Sequence, residues 1–153
     1  MSEKAKTLIL GMGNAIASDD AIGLIIAEQI KQDPKFTGID VETIESGGLA
    51  ILESLQGYHS AIIIDSIKTG LRRPGEIIRF RPEDFDCTQR SAGVHDVGFF
   101  TSLKLGRKLN MKIPERIEII AVEILENRRV SEDITPEVRA AIDPVIEMIK
   151  GMV

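Results

Sequence analysis

The sequence predicts an α/β fold, a three-layer α/β/α sandwich around a doubly wound, mostly parallel sheet of about five strands. Short apolar runs typical of buried strands alternate with segments whose apolar residues recur at helical spacing. The run 61–64 is apolar on both faces, which is typical of a central strand covered by helices. The 153 residues fit a single domain, 1–153, and we find no internal repeat.

The first half of the chain alternates between the two kinds of segment. The pattern predicts a strand over 7–10, a helix over about 21–32, a strand over 41–45 and a short helix over 49–55. Gly11 and Gly13 close the first strand with a tight turn. Asp33-Pro34 ends the first helix, because proline disfavours helical backbone in the residue before it.

The second half continues the alternation. It predicts a central strand over 60–65, a further strand at 77–80, a helix after His95 ending near Lys108, a strand over 117–124 and a terminal helix. The strand at 77–80 follows a Pro-Gly turn and is expected to lie antiparallel at an edge. The polar stretch 82–94 predicts a long functional or mobile connection. Thr135-Pro136 is expected to cap and open the terminal helix, and Pro144 to kink it.

Composition excludes several classes of function. A formal net charge of −5 argues against general affinity for nucleic acid or anionic membranes, and aromatic residues at 4% without Trp argue against base stacking. Cys87 is the single cysteine, so no internal disulfide forms and a reducing compartment fits. No apolar run approaches about 18 residues and no signal peptide is recognisable. We therefore expect a cytoplasmic protein that does not span or bind membranes.

Three side chains that could bind a metal lie where a predicted strand is followed by a loop or a helix. Asp20 follows the first strand, Asp65 closes the central strand, and His95 precedes a helix. Because open α/β sheets place their sites at the carboxyl ends of the strands, these side chains can converge there. Two carboxylates and an imidazole form a nitrogen and oxygen set suited to a divalent transition ion.

These residues can also be interpreted structurally, and His95 alone would be unremarkable because a single histidine often only satisfies a local hydrogen bond. One acid of Asp19-Asp20 would cap the following helix and complement its dipole, leaving the other to face the cleft. Asp65 is harder to explain in this way, because a carboxylate at the tip of a buried strand costs free energy unless it is paired or binds an ion. His59 is expected to satisfy a local hydrogen bond, and Cys87 to be an incidental thiol.

A nucleotide-binding alternative rests on Gly11-Met12-Gly13 after a strand. The third glycine of the dinucleotide fingerprint would fall at Ile16, and the acids at 19 and 20 would repel a pyrophosphate. The chain also lacks a Gly-x-Ser-x-Gly elbow and a His-Glu-x-x-His motif. No side chain is a convincing covalent nucleophile, so the catalytic residue stays unassigned.

A series of motifs follows an order and spacing typical of one protein family. They are Leu10-Gly11-Met12-Gly13-Asn14 with Asp19-Asp20-Ala21-Ile22-Gly23, then Glu45-Ser46-Gly47-Gly48, Ile62-Ile63-Ile64-Asp65, His95-Asp96-Val97-Gly98 and Thr135-Pro136-Glu137-Val138. Over nearly its whole length the chain thus resembles the hydrogenase maturation endopeptidases. Position 20 is Asp where many relatives have Glu, and Ser46 replaces the acid of an Asp-Gly-Gly segment.

The resemblance implies a function. Members of the family remove a C-terminal extension from the large-subunit precursor of nickel–iron hydrogenases after nickel insertion. By resemblance, Asp20, Asp65 and His95 occupy the family's metal-contacting positions, and the nickel is carried by the precursor, with no tightly bound enzyme metal. The alternative is a non-catalytic chaperone or assembly subunit that binds the same nickel-loaded precursor. Two mechanisms stay open: the ion activates the attacking water, or it anchors the substrate while a carboxylate acts as general base.

Overall fold

The computed structural model describes residues 6–45, 49–84, 94–125 and 130–153, and for residues 94–100 the description is confined to the backbone. Its sheet consists of β1 (Thr7–Met12), β2 (Asp40–Ile44), β3 (Ser60–Ile67), β4 (Ile77–Phe80) and β5 (Arg116–Glu123). The five strands lie in the order β2-β1-β3-β5-β4. All neighbouring pairs are parallel except β4 and β5. The predictions of a central third strand and an antiparallel edge strand are therefore confirmed.

Helices cover both faces of this sheet. They are α1 (Ile22–Gln32), α2 (Leu49–Leu55), α3 (Val94–Lys108), α4 (Pro136–Arg139) and α5 (Ile142–Lys150). One core cluster joins α1, α4 and α5 to one face of the sheet, and a second joins α2 and α3 to the other. Along β3, Ile62 and Ile64 belong to the first cluster, and Ala61 and Ile63 to the second. This double burial explains the continuous apolar run, and it confirms the three-layer α/β/α sandwich.

The terminal helix is divided where the sequence predicted a kink. Two turn residues separate α4 from α5, and Pro144 lies in the first turn of α5. In a continuous helix the ring of Pro144 would clash with the carbonyl of residue 140. Pro144 also has no N–H to donate to that carbonyl. Thr135 is the N-cap residue and Pro136 opens the helix, as predicted, although the side chain of Thr135 makes no capping hydrogen bond. In the described part of the chain, no helix has the length and apolar character needed to cross a membrane.

Several other boundaries differ from the predictions, and β1 continues through Gly11 to Met12 instead of ending at Leu10. Strand β3 continues to Ile67, so Asp65 lies two residues inside the strand instead of closing it. Helix α3 begins at Val94, so His95 lies in its first turn instead of before it. Of the predicted connection over 82–94, Pro82–Asp84 forms an exposed single 3-10 turn, while residues 85–93 lie outside the described part of the chain.

The chain order creates a switch point between β1 and β3. Helix α1 leads from β1 to β2 on one face of the sheet, and α2 leads from β2 back past β1 to β3 on the other face. The chain leaves the carboxyl end of β1 toward β2 and leaves the carboxyl end of β3 in the opposite direction, toward β4 and β5, so the two connections diverge. In doubly wound folds this divergence opens the crevice in which ligands bind.

Candidate active site

Asp65 lies at the switch point. The pairing of β1 with β3 ends at Gly11 and Ile64, so Asp65 is the first residue of β3 beyond that pairing. On its other side the strand stays paired, with Ala121 opposite Asp65. The carboxylate is buried, and its Oδ1 accepts a hydrogen bond of 2.8 Å from the N–H of Ser66.

Asp20 reaches the same edge from the neighbouring strand. It belongs to a 3-10 turn, Ser18–Ala21, between β1 and α1, and it is buried. Its Oδ1 accepts a hydrogen bond of 2.5 Å from the hydroxyl of Ser66. Ser66 therefore contacts both acids, donating its N–H to Asp65 and its hydroxyl to Asp20. Ser66 was not predicted from the sequence, although its place directly after Asp65 in a buried strand was a signal.

The backbone of His95 is positioned on the Asp65 side of the sheet. By strand alternation Asp65 lies on the same face as Ile63, against which α2 and α3 pack. The side chain of His95 lies outside the described part of the structure, so its convergence with Asp20 and Asp65 stays a prediction. Among the side chains that are described, no group of three or more His, Cys, Asp or Glu residues could hold a metal ion.

Neither Asp19 nor Asp20 is an N-cap residue, because Ala17 and Ala21 hold these positions in the 3-10 turn and in α1; the predicted cap is wrong, although both acids lie in the first turn of the 3-10 helix. No side-chain capping hydrogen bond occurs at the 3-10 turn or at α1. Asp19, which is fully buried, accepts hydrogen bonds from both the N–H and the hydroxyl of Thr135, at 2.7 and 2.9 Å. This two-point contact ties the turn that carries Asp20 to the start of α4.

A second set of contacts joins the same two segments. The N–H of Ser18 donates to the carbonyl of Ser131, whose own N–H donates to the carbonyl of Ile16, both at 2.8 Å. The hydroxyl of Ser18 donates to the carbonyl of Asp133 at 2.9 Å. Ser18 has a φ of 51°, an uncommon conformation for a residue with a side chain. The contacts hold this turn in a conformation that it would not favour alone.

The glycines around the turn serve close packing. A Cβ on Gly13 would lie 2.2 Å from the carbonyl oxygen of Asp20. A Cβ on Gly23, in the first turn of α1, would lie 2.3 Å from the carbonyl oxygen of Met12 and 2.4 Å from that of Ile64. These glycines let the start of α1 sit directly on the ends of β1 and β3, which accounts for the Gly-x-Gly pattern without a nucleotide.

A further buried carboxylate lies at the carboxyl end of β5. Glu123 is 1% exposed and accepts hydrogen bonds from the N–H and hydroxyl of Thr69 and, at 3.4 Å, from the N–H of Gly70. It therefore fixes the loop that follows β3. The sequence carried a signal for it, because an acid within an otherwise apolar strand must find hydrogen-bond donors.

The remaining candidates lie away from this edge or outside the described residues. His59 is exposed directly before β3, and its backbone N–H donates to the carbonyl of Lys6; a local hydrogen bond of its imidazole stays a prediction. Cys87 and the segment Ser46-Gly47-Gly48 are outside the described part of the chain, so the structure does not test their interpretations.

Comparison with known proteins agrees with this architecture. The sequence profile of the family described as "HycI: Hydrogenase maturation protease" matches residues 24–152. The chain is 27% identical to the hydrogenase 2 maturation protease of Escherichia coli K12, over 94% of this chain and 88% of that one. It is 25% identical to the hydrogenase expression/formation protein HupD of Bradyrhizobium diazoefficiens, over 96% of this chain and 77% of that one.

Solved structures show the same fold. The hydrogenase maturating endopeptidase HybD from E. coli superposes with a TM-score of 0.75 at 26% identity, covering 94% of this chain and 89% of that one. The NiFe hydrogenase maturation protease HybD from Thermococcus kodakarensis superposes with a TM-score of 0.72 at 25% identity, covering 96% of this chain and 98% of that one. Sequence profile, relatives and fold agree, and this chain belongs to the hydrogenase maturation protease family of endopeptidases.

Proposed function

We propose that this endopeptidase removes the C-terminal extension of a nickel–iron hydrogenase large-subunit precursor after nickel insertion, and that the inserted nickel is its recognition element. The observation that supports the proposal most directly is the pair of buried carboxylates, Asp20 and Asp65, joined through Ser66 at the switch point. This crevice is the part of a doubly wound fold where a substrate would bind.

The chemistry of the pair suits a nickel ion that belongs to the substrate. Carboxylate oxygens, with the imidazole of His95 as third donor, bind divalent transition ions. Such a set contains no thiolate and leaves coordination positions open, so it would bind the ion weakly by itself. A precursor that presents nickel together with its own ligands would bind more tightly than either nickel or precursor alone.

Peptide hydrolysis requires two proton transfers that residues of this chain must carry out. A water molecule must lose a proton as it attacks the scissile carbonyl, and the leaving amine must gain one. A carboxylate at the switch point can accept the first proton and return it to the amine, as general base and then general acid. Ser66 and the turn that carries Asp20 hold the two carboxylates in place. The carboxylates would bind the nickel of the precursor, and the bound nickel would position the scissile bond for attack.

Mass spectrometry of the precursor tests the proposal. Nickel-loaded and nickel-free large-subunit precursor are incubated with the wild-type protein and with its Asp20→Asn and Asp65→Asn variants. An amide keeps the shape of the side chain and removes its charge, so both variants should fold and fail to cleave. Asp143→Asn, which alters an exposed acid on α5, serves as the matched control and should cleave normally.

The expected result is one discrete C-terminal truncation, made only when the precursor carries nickel. A stable complex without cleavage would support the non-catalytic assembly role instead. Equal cleavage of nickel-free precursor would contradict nickel recognition. Calorimetric titration of nickel into the wild type and His95→Ala tests the third ligand, and equal binding by both proteins would remove His95 from the site.

A further inference from the structure

An exposed loop beside the site is held by a buried acid. The β3–β4 loop, residues 68–76, begins directly after Ile67, the last residue of β3. Glu123 accepts hydrogen bonds from the N–H groups of Thr69 and Gly70 and from the hydroxyl of Thr69. That hydroxyl oxygen in turn accepts a hydrogen bond of 3.0 Å from the N–H of Leu71. Burying a carboxylate is costly without such donors, so the acid and the first half of the loop stabilise each other.

The second half of the loop is fixed as well. The N–H of Arg73 donates to the carboxylate of Glu76 at 2.7 Å, and the N–H of Glu76 donates back to the carbonyl of Arg73 at 3.1 Å. The N–H of Gly75 donates to the carbonyl of Glu123 at 2.8 Å. The loop is thus attached to the end of β5 at two places, and its backbone is ordered before any partner binds.

This ordered backbone presents an apolar side chain between basic ones. Leu71 is 77% exposed, and Arg72 and Arg73 are exposed beside it. Within the described residues, no carboxylate forms an ion pair with Lys68, Arg72 or Arg73. The whole chain carries a net charge of −5, so this loop is a locally positive surface on an acidic protein.

The loop also lies next to the proposed catalytic edge. Asp65 and Lys68 are three positions apart, so a chain segment that reaches Asp65 can touch the loop as well. An exposed leucine on a fixed backbone loses little conformational entropy when a partner covers it. Arginine is enriched among the residues that contribute most to binding at interfaces, and unpaired surface charge directs encounter with a partner of opposite charge.

We infer that the β3–β4 loop is a docking element for the hydrogenase large-subunit precursor, an inference that rests on the proposed function. The segment that it binds carries an apolar side chain flanked by carboxylates. Leu71 covers the apolar side chain, and Arg72 and Arg73 face the carboxylates. The loop acts on substrate affinity alone, whereas the carboxylates at the switch point bind the nickel of the precursor and take part in cleavage.

Steady-state cleavage of nickel-loaded precursor tests the inference with two variants. Leu71→Asp replaces the apolar contact with a repulsive charge, and the double variant Arg72→Glu/Arg73→Glu reverses the charge of the loop. We expect KM to rise by about tenfold or more in each, with kcat within about twofold of wild type, because the contact is equally present in the ground and transition states. Raising the salt concentration should raise KM for wild type and much less for the double variant.

Matched control variants alter residues near the amino ends of the strands, at the far end of the sheet from the site. Leu109→Asp alters another leucine that is 63% exposed, beyond the end of α3. Lys31→Glu/Lys35→Glu reverses two exposed charges near the end of α1. Both controls should keep the wild-type KM. Urea midpoints should be similar for all variants, because every altered side chain is exposed.

The outcomes separate this inference from the proposed function. If the wild type leaves nickel-loaded precursor intact, the proposed function fails. If the wild type cleaves and the loop variants keep its KM, or change no more than the controls, the function stands and the docking inference is overturned. Sedimentation of each variant measures its oligomeric state, and so tests the alternative that the loop binds a second copy of this chain. Loss of a dimer in Leu71→Asp with unchanged KM would also overturn the inference.

Discussion

The hydroxyl of Ser66 donates a hydrogen bond of 2.5 Å to Oδ1 of Asp20, across the gap between the first turn after β1 and the end of β3. The same residue donates its N–H to Asp65. One residue therefore contacts two buried carboxylates: its side chain holds Asp20, and its backbone N–H holds Asp65. A carboxylate held by a hydrogen bond is restricted in its rotation, so Ser66 determines which oxygen atoms of Asp20 can meet a substrate.

Replacing Ser66 with alanine should weaken both the fold and the site. Loss of a donor to a buried carboxylate costs about 1–3 kcal/mol in unfolding free energy. We also expect kcat/KM for nickel-loaded precursor to fall by at least about tenfold, because small misplacements of a reacting group are costly. Ser60→Ala is the control, since Ser60 lies on the same strand and its hydroxyl bonds to that of Thr7 at the far end. If both variants retained full activity, Ser66 would have no positioning role.

The contact between Asp19 and Thr135 should act as a structural clamp. Thr135→Val removes one hydrogen bond and Asp19→Asn removes the charge, and each should lower the unfolding free energy by about 1–3 kcal/mol. Because the residues contact each other directly, the double variant should lose less than the sum of the single losses, by about 0.5–3 kcal/mol. Urea unfolding of the four proteins measures this coupling, and simple additivity would show that the contact does not stabilise the fold.

The predictable parts of this protein are those that leave a local pattern. The strand that carries Asp65 was recognisable because helices on both faces of the sheet require an unbroken apolar run. The edge strand at 77–80 was recognisable from the turn before it. Asp20 and Asp65 were predicted from their places after the first strand and toward the end of the central strand, although Asp65 lies inside β3 and Asp20 lies in the 3-10 turn after β1.

The contacts that hold the site left no local pattern. Ser66 and Asp20 are 46 positions apart, and Thr135 and Asp19 are 116 positions apart. Periodicity describes how a segment packs against its neighbours but not which distant hydroxyl meets a given carboxylate. The capping interpretation of Asp19 was wrong for this reason, because a tertiary donor competed successfully with the helix N-terminus.

Gly23→Ala should test the close contact of α1 with the strand ends. The added methyl group would meet the carbonyl oxygens of Met12 and Ile64 at less than contact distance, and both oxygens belong to strand backbone that cannot easily move. We expect a loss of about 1–3 kcal/mol or more in unfolding free energy, with reduced cleavage because Asp20 lies directly before α1. Gly151→Ala is the control, since a Cβ there would come no closer than 3.5 Å to Met148. Equal urea midpoints would contradict the packing argument.

The single tyrosine, Tyr58, should ionise at a higher pH than an unperturbed tyrosine. Tyr58 donates a hydrogen bond of 2.7 Å to Asp40. That bond, partial burial and the negative charges of Asp40 and Glu42 together raise the pKa of Tyr58 from 10.0 to about 12. Since the chain has no Trp and one Tyr, ultraviolet absorbance of tyrosinate reports this side chain alone. The titration midpoint should lie near 12 in the wild type and nearer 10.0 in Asp40→Ala.

The raised pKa of Tyr58 also fixes the direction of a pH effect on stability. Below the unfolded-state pKa the phenol is protonated in both states, and the stabilisation is fully present. As pH rises past that value toward the folded-state pKa of about 12, the folded state retains the proton longer, so stability falls. Asp40→Ala should flatten this fall in urea midpoint. A midpoint for the wild type near 10.0 would show that the hydrogen bond is absent in solution.

The metal-free protein should be folded, and chelators should not change its stability. Asp20 and Asp65 both accept hydrogen bonds from Ser66, so the fold holds these buried acids without requiring an ion. The proposed donor set lacks the fourth ligand and the thiolates of a closed structural site, and a metal held loosely should not survive purification. We therefore expect the unfolding midpoint to change little on addition of chelator.

Enzyme that has been treated with chelator should also keep its activity on nickel-loaded precursor. It should still cleave precursor that already carries nickel, once the chelator has been removed, because the ion arrives with the substrate. Adding zinc to the enzyme should not permit cleavage of nickel-free precursor. Elemental analysis of the purified protein provides the independent check. Stoichiometric zinc, together with a chelator-induced fall in unfolding midpoint, would show that the site holds a resident metal and that the protein works as a conventional metalloprotease.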